Sequence, residues 1–475
     1  METDQQSVQG LGQDALPLND PAEVARVRAE LEQKGVEYVA SVWVDTFGRA
    51  KAKIVPRGGF DKVLEGRGPL YGVHALEGMG NYGAADPDQT VIPDLSSMKI
   101  CPWDERIAWF AGDIHWVGGG AYPLDSRAIL KRQLDRARDL GYGFKVGIEP
   151  EFYVYRENGG YHDLQPLNSQ DFGQSWAYDV DTTIGGAFPF LSDVTAAFEK
   201  LGWDVGALVH EGGISQYEID YGYDDALVTA DRWVFIKELL RHVARRHDAF
   251  VSFMPKPSNG AFRSGLHYNM SLWSLDGDDL IGDDGSGDGR ISRLAIQFIA
   301  GQLKHSGAIT AITCPNVNSY RGLVLASDVG GIASDKSWAP VVVTYGPNNR
   351  SAMLRVPDGR SCIENRATDS SCNIYLGLAM SLAAALDGIE NGLEPPEPFT
   401  HSAYAGSESA LKKYGVPRLP RSLEEALDEL EADPLTREVL GDEMADAYIE
   451  LKRGEWDDYL RHVSEWDRER YLRQF

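Results

Sequence analysis

The sequence predicts an α+β protein of two domains, and three observations lead there. At 475 residues the chain is long for a single core. Strand-like and helix-like segments interleave from about residue 121 to 395 without the regular βαβ spacing of a doubly wound sheet. The remainder reads as helices, in SLEEALDELEAD and in LTREVLGDEMADAYIELKRGEWDDYLRHVSEWDRERYL.

Taken in order, residues 1–20 are polar and punctuated by Gly and Pro, which predicts a disordered tail. A helix over PAEVARVRAELEQKG follows, then an alternating strand over VEYVASVWVDTFG, a turn, and the strand AKAKIVP. Shorter strands continue to WFAGDIHW. The Gly118–Gly120 run with Pro123 marks a boundary between a domain at 21–120 and one at 121–475. The second domain opens with a helix from Ser126 to about Leu140 and the strand FKVGIEPEFYVY.

Composition narrows the functional classes. A net charge of −26 disfavours nucleic acid and anionic membrane as partners. No run of eighteen apolar residues occurs, and the N-terminus lacks a basic segment followed by an apolar one, so the expected location is cytoplasmic. Cys101, Cys314, Cys362 and Cys372 lie far apart with no C-x-x-C, against both a disulfide framework and a zinc knuckle. Asp284, Ser286, Asp288 and Gly289 imitate the start of a calcium loop, but its twelfth position is Ala295 where a bidentate Glu is needed, so a solvated loop is expected.

The chemistry-bearing residues are scattered. Glu149 and Glu151 stand in GIEPEFYVY, Glu211 and Glu218 in VHEGGISQYEIDY, His267 in SGLHYNMS, and Glu364 in IENRATDSSCNIYL. Arg350 and Arg355 fall between the last two, on the loop GPNNR and the strand SAMLRVP. On a strand, residues i and i+2 face one way, so Glu149 and Glu151 project together, as do His267 with Asn269 and Glu364 with Arg366. Two carboxylates side by side on a half-buried strand repel unless cations neutralise them. Glu211 and Glu218 are seven apart, so only a turn through GGIS aims both at one point. Oxygen ligands with one imidazole suit Mg²⁺ or Mn²⁺ rather than zinc, and five carboxylates can hold two or three such ions. Those ions would bridge phosphate oxygens, with the two arginines stabilising the charge of phosphoryl transfer. No G-x-x-x-x-G-K-[ST] is present, so ATP would bind without a P-loop.

The motifs E-P-E-F, H-E-x-x-x-x-Q-Y-E-I, F-M-P-K-P with a downstream G-x-H, N-x-N-S-Y, N-R-S-x-x-x-R-V-P and E-x-R with N-x-Y-L run in the order seen in glutamine synthetases. The resemblance spans from about Glu37 to the C-terminus. Within the family the chain looks most like the γ-glutamylmethylamide synthetase subgroup, by Trp338-Ala339-Pro340 and the tail ELKRGEWDDYLRHVSEWDRERY. The resemblance implies a small N-terminal β-grasp domain and a large catalytic domain on a curved antiparallel sheet with surrounding helices. It also implies a homo-oligomeric dodecamer of two hexameric rings with sites shared between neighbours.

Position by position, the resemblance implies that Glu151, Glu211 and Glu218 hold a first metal and that Glu149, His267 and Glu364 hold a second. It assigns Arg350 and Arg355 to phosphate, Arg366 to the acid or its phosphorylated side chain, and Asn269 and Ser271 to the nucleotide, although the family usually has His at position 269. The implied reaction joins the γ-carboxylate of glutamate to an alkyl- or arylamine such as methylamine through an acyl phosphate made from ATP. Four departures from the family bear on the substrates. The D-G-S motif of ammonia-using members is absent, and Trp338 replaces a Glu before A-P, which disfavours ammonium and favours an amine with an apolar substituent. Phe262-Arg263 stands where the family has Asn-Gly, and Arg321-Gly322 where it has Lys-Arg. Arg321 or Arg263 is the available cation for the amino-acid end of the acid. The same chemistry on another carboxylic acid, and a glutamine synthetase using ammonia, remain the alternatives, with a catalytically silent relative as a third. The tyrosine motif used for adenylylation has no match. His74, Glu77, Asp328 and Asp335 fall in segments expected to border the amine site.

Overall fold

The computed structural model describes residues 16–80, 82–157, 163–169, 177–259, 262–324, 339–405 and 408–475. Of the predicted tail, residues 1–15 lie outside the described residues. Asn19 donates from Nδ2 to the carbonyls of Leu64 (2.9 Å) and Pro93 (3.1 Å). The first helix, Pro21–Gln33, starts where expected because Asp20 caps the amides of Ala22 and Glu23 and Pro21 occupies the first turn.

The first sheet contains β1 (Tyr38–Val44), β2 (Ala50–Pro56), β3 (Leu70–Tyr71), β4 (Gln89–Pro93), β5 (Lys99–Ile100) and β6 (Ile107–Trp116). Its order is β2-β1-β6-β4-β3, with β5 on β6, and β1 runs parallel to β6. β1 reads as an alternating strand in sequence, yet all its residues after Tyr38 are buried. One face, through Val39, joins Val24, Val27 and Leu31 of the first helix, while Ala40, Val42 and Val44 enter the main core. A strand covered on both sides has no polar face to alternate with.

The second sheet contains β7 (Tyr142–Arg156), β8 (Val205–His210), β9 (Gln216–Tyr221), β10 (Asp224–Asp225), β11 (Ala249–Ser252), β12 (Leu266–Ser274), β13 (Val342–Pro347), β14 (Ala352–Val356) and β15 (Ile363–Asn365). Its order is β13-β14-β15-β12-β7-β9-β8, with β10 and β11 also on β7. Pairing is antiparallel except for β13 with β14, which run parallel. Phe144, Val146, Ile148, Phe152 and Val154 of β7 and Tyr268 and Met270 of β12 turn into the core. Helices Ala226–Arg246, Arg293–Lys304 and Ile374–Glu390 supply much of the rest of that core. The last two touch through backbone: a Cβ on Gly301 would lie 1.9 Å from the Ala384 carbonyl oxygen.

The first sheet is tied to the helix layer behind the second by Arg127, at the start of helix Ser126–Asp139, whose side chain is 3% exposed. It donates to Asp94 (2.7 Å), to Asp113 of β6 (2.7 Å) and to Asp231 of helix Ala226–Arg246 (2.9 Å). The calcium-like segment behaves as a solvated loop, with Asp284 and Asp288 accepting from their own neighbours' amides. Among the described residues no helix is long and apolar enough to cross a membrane.

Candidate active site

Sheet register gathers the scattered residues into one row. Glu149 of β7 lies opposite His267 of β12, and Glu151 lies opposite Glu218 of β9. On the other side, Asn269 of β12 faces Glu364 of β15, which in turn faces Arg355 of β14. Five adjacent strands therefore present their polar residues on the face opposite the core. The turn between β8 and β9 brings Glu211 to the same place: its amide donates to the Gln216 carbonyl at 2.9 Å, and Ser215 adopts φ 63°. That is the hairpin approach that the seven-residue spacing of Glu211 and Glu218 required.

His267 sits at the centre. Its Nδ1 is 3.3 Å from Glu149 and 3.7 Å from Glu364, and its Nε2 is 3.7 Å from Glu151. Glu364 is fully buried and held between Arg355, at 2.7 Å, and Arg366. Glu149 accepts from Asn269 at 3.1 Å and from Arg360 at 2.8 Å. Glu151 accepts from Gln216 Nε2 at 3.0 Å and from the Gly265 amide at 2.9 Å.

The electrostatics divide the row in two. On one side, burial disfavours charge on Glu149, but His267 and Arg360 outweigh it and hold its carboxyl well below the usual range. Glu364 is likewise lowered, burial being overcome by Arg366 and His267. On the other side, burial and then Glu151 push Glu211 up to about 8, and the same two causes raise Glu218. That half carries more carboxylates than cations. Ligand atoms of Glu149, Glu218 and His267 all lie within 4.8 Å of one another. A donor set of carboxylate oxygens and one imidazole, short of positive charge, fits a hard divalent cation.

The remaining predicted residues fall less centrally. Arg350 lies on the exposed loop before β14 as expected, and its carbonyl accepts from Arg366 Nε at 3.3 Å. Ser271 sits on the site side of β12, where it accepts from Trp273 Nε1 at 2.9 Å. Arg321 turns to the surface, its guanidinium 5.5 Å over the Tyr459 ring. Arg263 is buried and points inward, donating to the carbonyls of Ala367 (2.6 Å) and Thr368 (3.2 Å), 3.4 Å from Asp369. Phe262 lines the pocket beside Glu151, Glu211 and Arg366. Trp338, Asp328 and Asp335 lie outside the described residues; Glu77 is exposed, 3.6 Å from Arg49, and His74 is exposed.

Sequence reasoning missed Arg360 and Tyr404. Arg360 sits in a polar turn, DGRS, with nothing to mark it. Tyr404 donates its hydroxyl to the Arg350 carbonyl at 3.0 Å and comes from HSAYAGS, far along the chain with no periodic signal.

The fold and this row define the class. A family model for the glutamine synthetase catalytic domain matches residues 123–471, and the chain belongs to the glutamine synthetase family, enzymes that form C–N bonds. Among its relatives is a glutamate–methylamine ligase of Methyloversatilis universalis, 37% identical over 448 residues, covering 94% of this chain and 98% of the relative. A glutamine synthetase of Halobacterium salinarum is 32% identical over 465 residues, covering 94% of this chain and 96% of that protein. A solved GmaS–ADP complex superimposes with a TM-score of 0.85 at 32% identity, covering 94% of this chain and 99% of that one. Ligand-free GmaS gives 0.81, again at 32% identity, with 96% and 99% covered.

Proposed function

We propose that this protein joins the γ-carboxylate of glutamate to an alkyl- or arylamine, methylamine being the reference case, at the expense of ATP. The observation that carries the reading is the row of Glu149, Glu151, Glu218, His267 and Glu364 on one sheet face, with Arg355 at its end. Likeness to the glutamate–methylamine ligase supports the choice of amine. In this reading Glu151, Glu211 and Glu218 would hold one Mg²⁺ or Mn²⁺ and Glu149, His267 and Glu364 another. When bound, the ions would neutralise phosphate oxygens.

The reaction divides into two steps. A γ-carboxylate oxygen attacks the γ-phosphorus of ATP and ADP leaves, with Arg350 and Arg355 offsetting the charge on the transferring group. The amine nitrogen then attacks the acyl carbon, phosphate departs, and the nitrogen sheds a proton to give the amide. An alkylamine has a pKa of roughly 10 and arrives protonated, so a base must take that proton first, whereas an arylamine arrives neutral. Asn269 and Ser271 would border the nucleotide, Arg366 the acid, and Trp338 the amine.

An acid other than glutamate is the second reading. It is favoured by Phe262 on the pocket wall, by Arg263 directed at backbone carbonyls, and by Arg321 stacked on Tyr459. Phosphate release with Mg²⁺-ATP over a grid of acids and amines, with mass detection of the amide, separates the two. A product made only from ammonia would sink the amine assignment, and a product requiring another acid would select the second reading.

We also place the domain division near residue 120 and the assembly as a homo-oligomer, a dodecamer of two hexameric rings. Exposed apolar side chains at the C-terminus support association: Trp466 is 58% exposed and Leu472 73%.

A further inference from the structure

Behind the active-site strand lies a cleft that the proposed reaction does not use. It has a volume of about 530 Å³, within the ~300–1,000 Å³ range of small-molecule sites. Its walls come from the β1–β2 turn, helix Ala226–Arg246, β11 with the residues after it, and Ser370 and Ser371. Its apolar lining includes Phe250, Phe253 and Met254.

Lys237 lines this cleft at 8% exposure. It makes no hydrogen bond and no ion pair with any described residue; its ammonium lies 5.3 Å from the Trp233 ring centre, a weak substitute for an anion. The charged neighbours are already engaged: Arg49 with Asp45 at 2.7 Å, and Glu238 with Arg241. Burial pulls the Lys237 amine down to about 8, with Asp45, Glu238 and Cys372 too weak to restore it. A mostly buried lysine that faces an open cleft with no protein counter-ion is uncommon, because buried charges are paired or hydrogen-bonded, and it leaves the ammonium free to pair with an anion from solution.

We infer that this cleft is a second ligand site for a small organic monocarboxylate with an apolar or aromatic body, its carboxylate paired with Lys237 and its body against Phe250, Phe253 and Met254. The aromatic wall selects an organic anion over inorganic phosphate. The inner wall touches the catalytic row, since the Ser370 hydroxyl donates to the Glu151 carbonyl at 2.7 Å. An occupant here would sit one side chain away from the strand that carries Glu149 and Glu151.

The test uses the intact oligomer with the catalytic centre filled by a non-hydrolysable ATP analogue and saturating glutamate, and phenylacetate as the probe in calorimetry. One phenylacetate per chain should bind, and 2-phenylethanol, which lacks the carboxylate, should bind at least tenfold more weakly. Lys237→Met, which keeps the apolar stem, should weaken binding tenfold or more, and Lys237→Arg should stay within a few-fold of the parent. Met254→Asp, at a rim position 43% exposed, should also abolish binding without touching Lys237. The site is overturned by no saturable binding with the catalytic centre filled, or by equal binding in the parent and Lys237→Met. None of these readings depends on ligase activity, so failure here leaves the proposed reaction standing.

Discussion

Glu151 bridges both halves of the carboxylate row, opposite Glu218 in register and 3.7 Å from His267. Glu151→Ala should therefore lower ATP-dependent phosphate release by at least about 100-fold, beyond the 10–100-fold typical of residues one shell further out. Circular dichroism should show the fold unchanged, and a rate within a few-fold of the parent would remove Glu151 from the machinery. Trp338→Glu should move preference toward ammonia, read as the ratio of kcat/KM for ammonia and methylamine; an unchanged ratio counts against its role. Much of the row was legible because strand geometry is simple: E-P-E, H-x-N and E-x-R each put two side chains on one face. Arg360 and Tyr404 were illegible because each reaches the site from a loop or a distant segment, where no period links a residue to its target. Arg321 shows the reverse: its motif position points to the acid pocket, but the tertiary partner that claims it, Tyr459, lies 138 residues away.

Among the elements, the helices were the most readable and the strand pairings the least. Capping and apolar spacing place Pro21–Gln33 and Ser126–Asp139 within a residue or two of expectation. The parallel pairing of β13 with β14, and the two-sided burial of β1, depend on which element lies above, which local sequence does not encode. One helix junction makes a pH prediction. His305, between helices Arg293–Lys304 and Ser306–Thr313, is 2.7 Å from Asp433 and 3.0 Å from Asp387 of helix Ile374–Glu390. Burial opposes its charge, but the two aspartates prevail and raise its pKa. A raised histidine contributes stability that is full below its unfolded pKa, about 6.5, and is lost as pH climbs through the folded value. The melting temperature of the parent should thus fall more steeply than that of His305→Gln from about pH 6.5 upward. Parallel curves would mean that the cluster contributes no charge-dependent stability.

At the level of the whole molecule, Arg127 joins the first sheet to the helix layer behind the second. Removing it leaves Asp94, Asp113 and Asp231 without their shared cation, and a buried charge so stranded costs about 3–5 kcal/mol. Arg127→Met should lower stability by that amount in urea titration, and a loss below about 1 kcal/mol would show the tie to be dispensable. At the far end of the chain, Trp466→Asp should reduce the assembled mass measured by light scattering if the exposed apolar C-terminus is an assembly surface. The inward turn of Arg263 reaches further than its four hydrogen-bonded neighbours, Cys314, Ala367, Thr368 and Asp369. A Cβ on Gly322 would lie 2.6 Å from the Arg263 Cδ, so the two positions exclude each other's side chains. Sequence drift at one is therefore conditional on the other: any descendant carrying a side chain at 322 must first shrink residue 263. Across an alignment of relatives the pair should covary as a unit, sorting them into two lineages by which of the two segments supplies the bulk.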